Sequence, residues 1–290
     1  MYRFACILIF SSIGVRTLGS QTPASNQGED ARDRVYYPGD TEKLAPLGRK
    51  LAANIWLDQK QIWSSPFRMK KSDAKWWITF GGATAALIAT DKRTYDVFEN
   101  SKGQILWGNR ISNIGSVYTV IPVTAGFYGA GVLVHNAKAR ETGVLSTEAL
   151  LDSLIVSEVT KTIAGRNRPD SVKRGGDFFQ GGSSFPSGHA ISAWTVASVV
   201  AHEYSDTKWV PFVAYGLAST VSCARFAAQR HFASDIVAGG AMGWFIGRFV
   251  YKTHEDHALH KHAWATPVIT PVFQTATGTY GIGLTFVPGG

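Results

Sequence analysis

His231 and Asp235 stand four residues apart, a spacing that brings an imidazole and a carboxylate to one face where a helix begins. Five residues separate that pair from Arg225 upstream, with a guanidinium that can fork onto two oxyanion oxygens. Earlier in the chain, Pro186-Ser187-Gly188-His189 joins a second imidazole to a helix-starting serine. Earlier still, six residues separate Lys161 from Arg168-Pro169. Together these clusters supply three cations, two imidazoles, one carboxylate and a helix start. Such a set can hold a phosphate-like oxyanion and attack it.

Each group has a reason to be there. Ser187 is a good N-cap, and a helix N-terminus offers free N–H groups and a positive dipole end to an anion. Gly188 lets backbone approach that anion closely, and His189 in the first turn can act as a general acid. A carboxylate behind His231 fixes its tautomer and leaves the other ring nitrogen free to attack. Lys161 brings a point charge and Arg168 a planar fork. Taken singly, each cluster is ordinary: a capped helix, a surface His/Asp pair, basic residues at a helix C-terminus. Only their conjunction points to chemistry.

The period of apolar residues is mostly helical and predicts the elements that must carry these groups. A short helix is expected over 47–59, and a second from Ser72-Asp73 to about 90. A third is expected over 111–135, interrupted by Gly and Pro, and a fourth over 146–163. The remaining three are expected over 187–202, 209–224 and 232–252. Leaving the short first one aside, six core helices remain. In an up-down bundle with short connections all three clusters fall at one end. The tail changes period: Tyr280, Ile282, Leu284 and Phe286 alternate with Gly281, Gly283 and Thr285, as in a strand. Pairing with Val268–Phe273 predicts a short C-terminal β-hairpin over 264–288.

At 290 residues the chain can bury a sizeable core. Its charged share of 17% is low for a soluble domain, so a membrane setting stays open. The net charge of +8 suits anionic phosphates or an anionic membrane surface. Lys and Arg are scattered, which argues against a nucleic-acid partner. The apolar run Phe4–Val15 behind Met1-Tyr2-Arg3 reads as a signal peptide over 1–20, with an uncleaved anchor as the alternative. A polar, flexible linker is expected over 21–45, and the catalytic domain over 46–255. Export to the periplasm or cell envelope is expected, with membrane association left open.

Ile111–Val134 holds 24 residues without Asp, Glu, Lys or Arg, enough to span a bilayer. The acids of the fourth helix favour a globular bundle that touches the membrane over six full spans. Trp63–Trp77, with four cations among four aromatic residues, could meet an anionic lipid interface or be a solvated basic turn. Cys223 is expected in the core. His254, His257, His260 and His262 are expected on a solvated, fraying helix end, a metal site being the alternative.

The pattern Lys161-x6-Arg168-Pro169, Pro186–His189 and Arg225-x5-His231-x3-Asp235 resembles the PAP2 superfamily. That family takes in type 2 phosphatidic acid phosphatases, bacterial class A acid phosphatases and vanadium haloperoxidases. The resemblance covers residues 161–235 by motif and about 72–252 as a bundle. It implies an all-α, PAP2-like fold and a phosphatase for phosphate monoesters or diphosphates, those of a lipid foremost. His231 would form a phosphohistidine, Asp235 would orient it, and His189 would protonate the leaving group. Lys161, Arg168, Arg225, Ser187 and the Gly188 N–H would hold the phosphate oxygens. The resemblance implies no metal and no cofactor, and vanadate is expected to occupy the same pocket. Ala224 departs from the serine the family usually has there. The alternatives are a vanadate-dependent haloperoxidase and a non-catalytic bundle that binds anionic lipid.

Overall fold

The computed structural model describes residues 44–68, 71–97, 101–170, 176–254, 265–274 and 279–288. The expected signal peptide lies outside them, as does most of the expected linker. A helix begins at Leu44, within the last two positions of that expected linker.

Eight α-helices follow in the described residues: α1 (Leu44–Ser64), α2 (Lys71–Val97), α3 (Lys102–Ser112), α4 (Val117–Leu133), α5 (Ala137–Ala164), α6 (Gly188–Glu203), α7 (Trp209–Ala227) and α8 (Ala233–His254). The helical class expected from the apolar period holds, and most helices run longer than expected. The region expected as one helix over 111–135 is two. A 3₁₀ turn at Asn113–Gly115 divides α3 from α4, while α4 continues through Pro122. The turn has a packing reason. Gly115 backs onto Val221 and the carbonyl of His189, and a side chain there would collide with both.

The most extensive helix pairing is α6 with α8. It is built on Gly239, Gly243 and Gly247, four residues apart on one face of α8. A Cβ at Gly239 would meet Ser187 O, one at Gly243 would meet Ile191 O, and one at Gly247 would meet Thr195 O. Missing side chains let the two backbones touch, as in the small-residue interfaces of membrane bundles. Around this contact, Leu145, Ala149 and Val156 of α5 pack with Val199 of α6 and Ile246, Val250 and Tyr251 of α8. Burial of each larger aliphatic chain contributes roughly 1.5–3 kcal/mol.

The outer helices are different. Lys102–Leu133 and Trp209–Ala227, of 32 and 19 residues, are long and apolar enough to cross a membrane. Their apolar side chains point outward: Tyr118 is 92% exposed, Phe212 80%, and Trp209, Leu217 and Ile121 are also open. Cys223, expected in the core, is exposed on the same helix. It lies on the outward face of α7, while Val221 and Arg225 on the other face are buried.

The described residues 44–254 belong to one compact unit, and residues 265–274 and 279–288 to a second. In the second, Ala265–Gln274 and Thr279–Pro288 are laid out antiparallel, with Ala265 opposite Pro288. The side chains of this segment lie outside the described residues.

Candidate active site

Helix ends bring the three clusters together. α5 stops because Gly165 takes a left-handed conformation (φ 53°) and its N–H returns to the Lys161 carbonyl. The chain then doubles back, with Phe179 N–H on Ala164 O and Gln180 N–H on Gly165 O. Ser187 opens α6 in extended geometry (φ −71°, ψ 114°), and its N–H donates to Asp235 O at 3.0 Å. That bond ties the start of α6 to the first turn of α8. The Lys161 ammonium lies 3.2 Å from where a Gly188 Cβ would be, so any larger residue at 188 would press on it. Lys161 also pairs with Glu158 at 2.6 Å.

Ser187 occupies the capping position, yet its hydroxyl makes no capping hydrogen bond. It is fully buried and without a hydrogen-bond partner among the described residues. Arg225, also buried, reaches Ser112 Oγ through one terminal nitrogen at 3.4 Å, while its Nε has no partner among the described residues. A buried donor left unpaired costs about 1–3 kcal/mol, so two at one site point to an absent acceptor. The charge around His189 agrees. Its pKa is pushed down to about 4, first by burial and then by Arg225, His231, Lys161 and Arg168. The motif cations and the second imidazole therefore converge on one ring. Arg168 sits farther out, with its guanidinium 3.5 Å from Ser183 Oγ.

His231 is buried, and its Nδ1 lies 2.8 Å from the Ser184 carbonyl. A carbonyl only accepts, so Nδ1 carries the proton and Nε2 keeps its lone pair. Burial is the main force holding the His231 pKa below its ordinary value. Asp235, expected to hold this imidazole directly, lies 3.7 Å from Nδ1, beyond hydrogen-bond reach. It accepts instead from Ser184 Oγ at 2.6 Å, Phe232 N–H at 2.9 Å and Arg166 at 2.6 Å. Its hold on His231 runs through the Ser184 segment and through its charge.

Arg166 was not among the residues singled out from sequence. Its guanidinium is buried between Phe178 and Phe232, 4.8 and 4.4 Å from their ring centres. It bridges Asp235 and Asp91 of α2, at 2.6 and 2.8 Å. Ser234 closes the network, accepting from Arg166 and donating its hydroxyl to Asp91. The Arg166-Asn167-Arg168 run offered two arginines, but their division of labour depends on Asp91, 75 positions away. Ala224 is buried on α7, and the hydroxyl beside Arg225 comes from Ser112 of α3.

An apolar groove of about 630 Å³ opens between α4, α6 and α7, lined by Ile114, Val120, Phe127, Val196, Leu217 and Val221, among others. Ile114 and Val221 bring one end beside His189, through the contact of Gly115 with the His189 carbonyl.

His254 departs from expectation. It lies fully buried in the last turn of α8, 3.2 Å from Glu148, rather than on a fraying solvated end. His257, His260 and His262 lie outside the described residues.

Residues 143–258 match the model of the PAP2 superfamily. Lipid A 1-phosphatase of Porphyromonas gingivalis is 28% identical over 171 residues, covering 57% of this chain and 36% of that protein. The chain thus spans about a third of the length of this curated relative. Among solved structures, a transmembrane PAP2 type phosphatidylglycerolphosphate phosphatase from Bacillus subtilis aligns with a TM-score of 0.47 at 19% identity, covering 71% of this chain and 95% of that one.

Proposed function

We propose that this chain is a PAP2-type phosphatase that removes phosphate from a membrane lipid through a phosphohistidine on His231. The observation that carries the reading is the pair of buried, unpartnered donors, Ser187 Oγ and Arg225 Nε, in a ring of cations around His189. A phosphate oxyanion supplies the missing acceptors and offsets the converging charge.

In the proposed reaction, neutral His231 attacks phosphorus through Nε2, and the P–N bond forms as the bond to the leaving oxygen breaks. His189 gives its proton to that oxygen. Water then attacks the phosphohistidine and yields its proton to His189, releasing inorganic phosphate and restoring both imidazoles. Bound phosphate charge raises the His189 pKa from its value in the empty pocket, which supports its part as the acid. Asp235 keeps the His231 segment in place and stabilises the charge that develops on the ring. Lys161, Arg168, Arg225, Ser187 and the Gly188 N–H hold the phosphate oxygens, a role that calls for no metal in this pocket.

The apolar groove beside His189 supports a substrate with acyl or prenyl chains. The outward-facing apolar side chains of α4 and α7 support a membrane setting. The relative's name adds lipid A 1-phosphate to the candidate substrates. Export by residues 1–20, action in the cell envelope and a folded hairpin over 264–288 complete the proposal.

The test is phosphate release by the full chain in detergent micelles, across phosphatidate, prenyl diphosphate, lipid A and soluble aryl phosphates. Turnover of a lipid, loss of it in His231→Ala, and a trapped acid-labile phosphoryl group on the wild type support the proposal. Vanadate should compete with substrate. Halide oxidation with vanadate and peroxide, without phosphate release, would replace the proposal with the haloperoxidase reading.

A further inference from the structure

The opposite end of the bundle holds a second buried polar cluster. Asp58 of α1, Glu148 of α5 and His254 of α8 each present a ligand atom, and these atoms lie within 4.8 Å of one another. All three residues are fully buried. Glu148 precedes Lys161 by 13 positions on one helix, so the cluster lies about 20 Å from the phosphate pocket.

Three features set this apart from a group of surface acids. First, the donors come from three helices and include a nitrogen. Second, the imidazole is oriented as metal-bound histidines are. His254 Nδ1 lies 2.9 Å from the Val250 carbonyl and so carries the proton, leaving Nε2 to face Glu148 Oε1 at 3.2 Å. Third, Asn54 is fully buried beside Glu148, its amide nitrogen 3.4 Å from Oε2, and its side-chain oxygen has no hydrogen-bond partner among the described residues. An amide rotation would turn that oxygen into the cluster. Asp152, one turn along α5, is held from outside by Gln59 at 2.8 Å.

Charge makes the same point. Two adjacent buried carboxylates cannot both stay ionised without a counter-charge. Burial, then Asp58, then Asp152 raise the Glu148 pKa well above the usual carboxylate range. Either a proton or a cation must occupy the space between Glu148 and Asp58. A divalent ion held by two carboxylates and a neutral imidazole leaves no net charge.

We propose that Asp58, Glu148 and His254, with the Asn54 side-chain oxygen, form a structural site for one divalent transition ion, zinc or manganese, clamping α1 to α5 and α8. One nitrogen among oxygen donors suits these ions better than calcium or magnesium, which prefer oxygen alone. The site is separate from phosphate chemistry and sets the stability of the bundle.

The experiment uses the full chain in detergent, freed of any affinity tag and purified without chelator. Metal content is measured by mass spectrometry, and thermal unfolding is followed before and after chelation and after adding Zn²⁺, Mn²⁺, Ca²⁺ or Mg²⁺. About one equivalent of zinc or manganese per chain is expected, with a melting temperature that falls on chelation and recovers on reloading. Glu148→Gln and His254→Gln should each lose the ion, while refolded or residual protein keeps phosphate release. Should either variant fail to fold, X-ray absorption on the loaded wild type decides: one nitrogen donor among oxygens supports the site, and any other shell overturns it. No retained ion and no thermal shift with any metal overturns the proposal in favour of a shared proton. Retention of calcium or magnesium instead, or of zinc or manganese undiminished in folded variants, also overturns it.

Discussion

The two ends of the α5–α8 pair store opposite charge. At one end Lys161, Arg168 and Arg225 crowd around His189 and push its pKa down to about 4. At the other, Asp58 and Asp152 crowd around Glu148 and push its pKa up. The same two helices run through both clusters, and in both cases burial is the leading cause of the shift. A buried like-charge cluster is unstable until something of the other sign enters it. At the cationic end Lys161, Arg168 and His189 are half-buried, so that end keeps some contact with solvent. The anionic end is closed among α1, α5 and α8, which suits an occupant that stays.

The comparison can be broken most decisively at the cationic end. His231→Ala should lower phosphate release by about 10⁴-fold or more, as loss of a nucleophile does. Phosphate or vanadate binding should survive, since none of the anion-holding groups is removed. Equilibrium binding beside steady-state rates checks both, and residual turnover within tenfold of wild type would remove His231 from its role.

Arg166→Ala should be the next largest change. It leaves Asp91 and Asp235 buried without their shared cation, at a cost of about 3–5 kcal/mol in stability. Denaturant or thermal unfolding measures the loss. Arg166→Lys should recover only part of it, because one ammonium cannot fork between two carboxylates.

The pH dependence sharpens the comparison more finely. His189 must be protonated to act as the acid, and in the empty pocket it loses that proton above about pH 4. The upper limb of kcat/KM, which reports the free enzyme, should therefore lie at acid pH. The upper limb of kcat should lie higher, because bound phosphate offsets the cations. Coincident limbs would mean that substrate charge does not reach His189. Stability carries the same sign: the folded ring binds fewer protons than the unfolded one between about pH 4 and 6.5. His189's contribution to stability is thus present above that window and lost as pH falls through it. Replacing His189 with Gln should flatten that part of the stability curve.

The smallest effect is expected at Ala224. Ser112 already sets a hydroxyl beside Arg225. Adding one by Ala224→Ser should change kcat/KM by less than about tenfold, the worth of one ordinary hydrogen bond. A larger gain would mean that Ser112 does not stand in for the missing serine.

Much of this molecule was legible locally. Ser187 before an apolar run marks the start of α6, and Gly165 stops α5 because it alone accepts the left-handed turn cheaply. Spacing also brought Lys161, Gly188, His189, Arg225 and His231 to one bundle end. The outer helices were harder to read, since an apolar period looks the same whether its face meets a core or a lipid. Cys223 fell on the wrong side for that reason. His254 did too, because its burial depends on α1 and α5, and a histidine at a helix end gives no local sign of either.

By itself the sequence determined the helical class and the arrival of the three motif clusters at one end of the bundle. These follow from caps, spacing and period, which are properties of neighbours along the chain. Only the tertiary structure decided which partners those residues have. It gave His231 a carbonyl in place of a carboxylate, gave Asp235 to Arg166 and Asp91, and drew Asp58, Glu148 and His254 into one buried cluster. Those choices rest on contacts between helices far apart in sequence, whose burial sets the charge each group can carry.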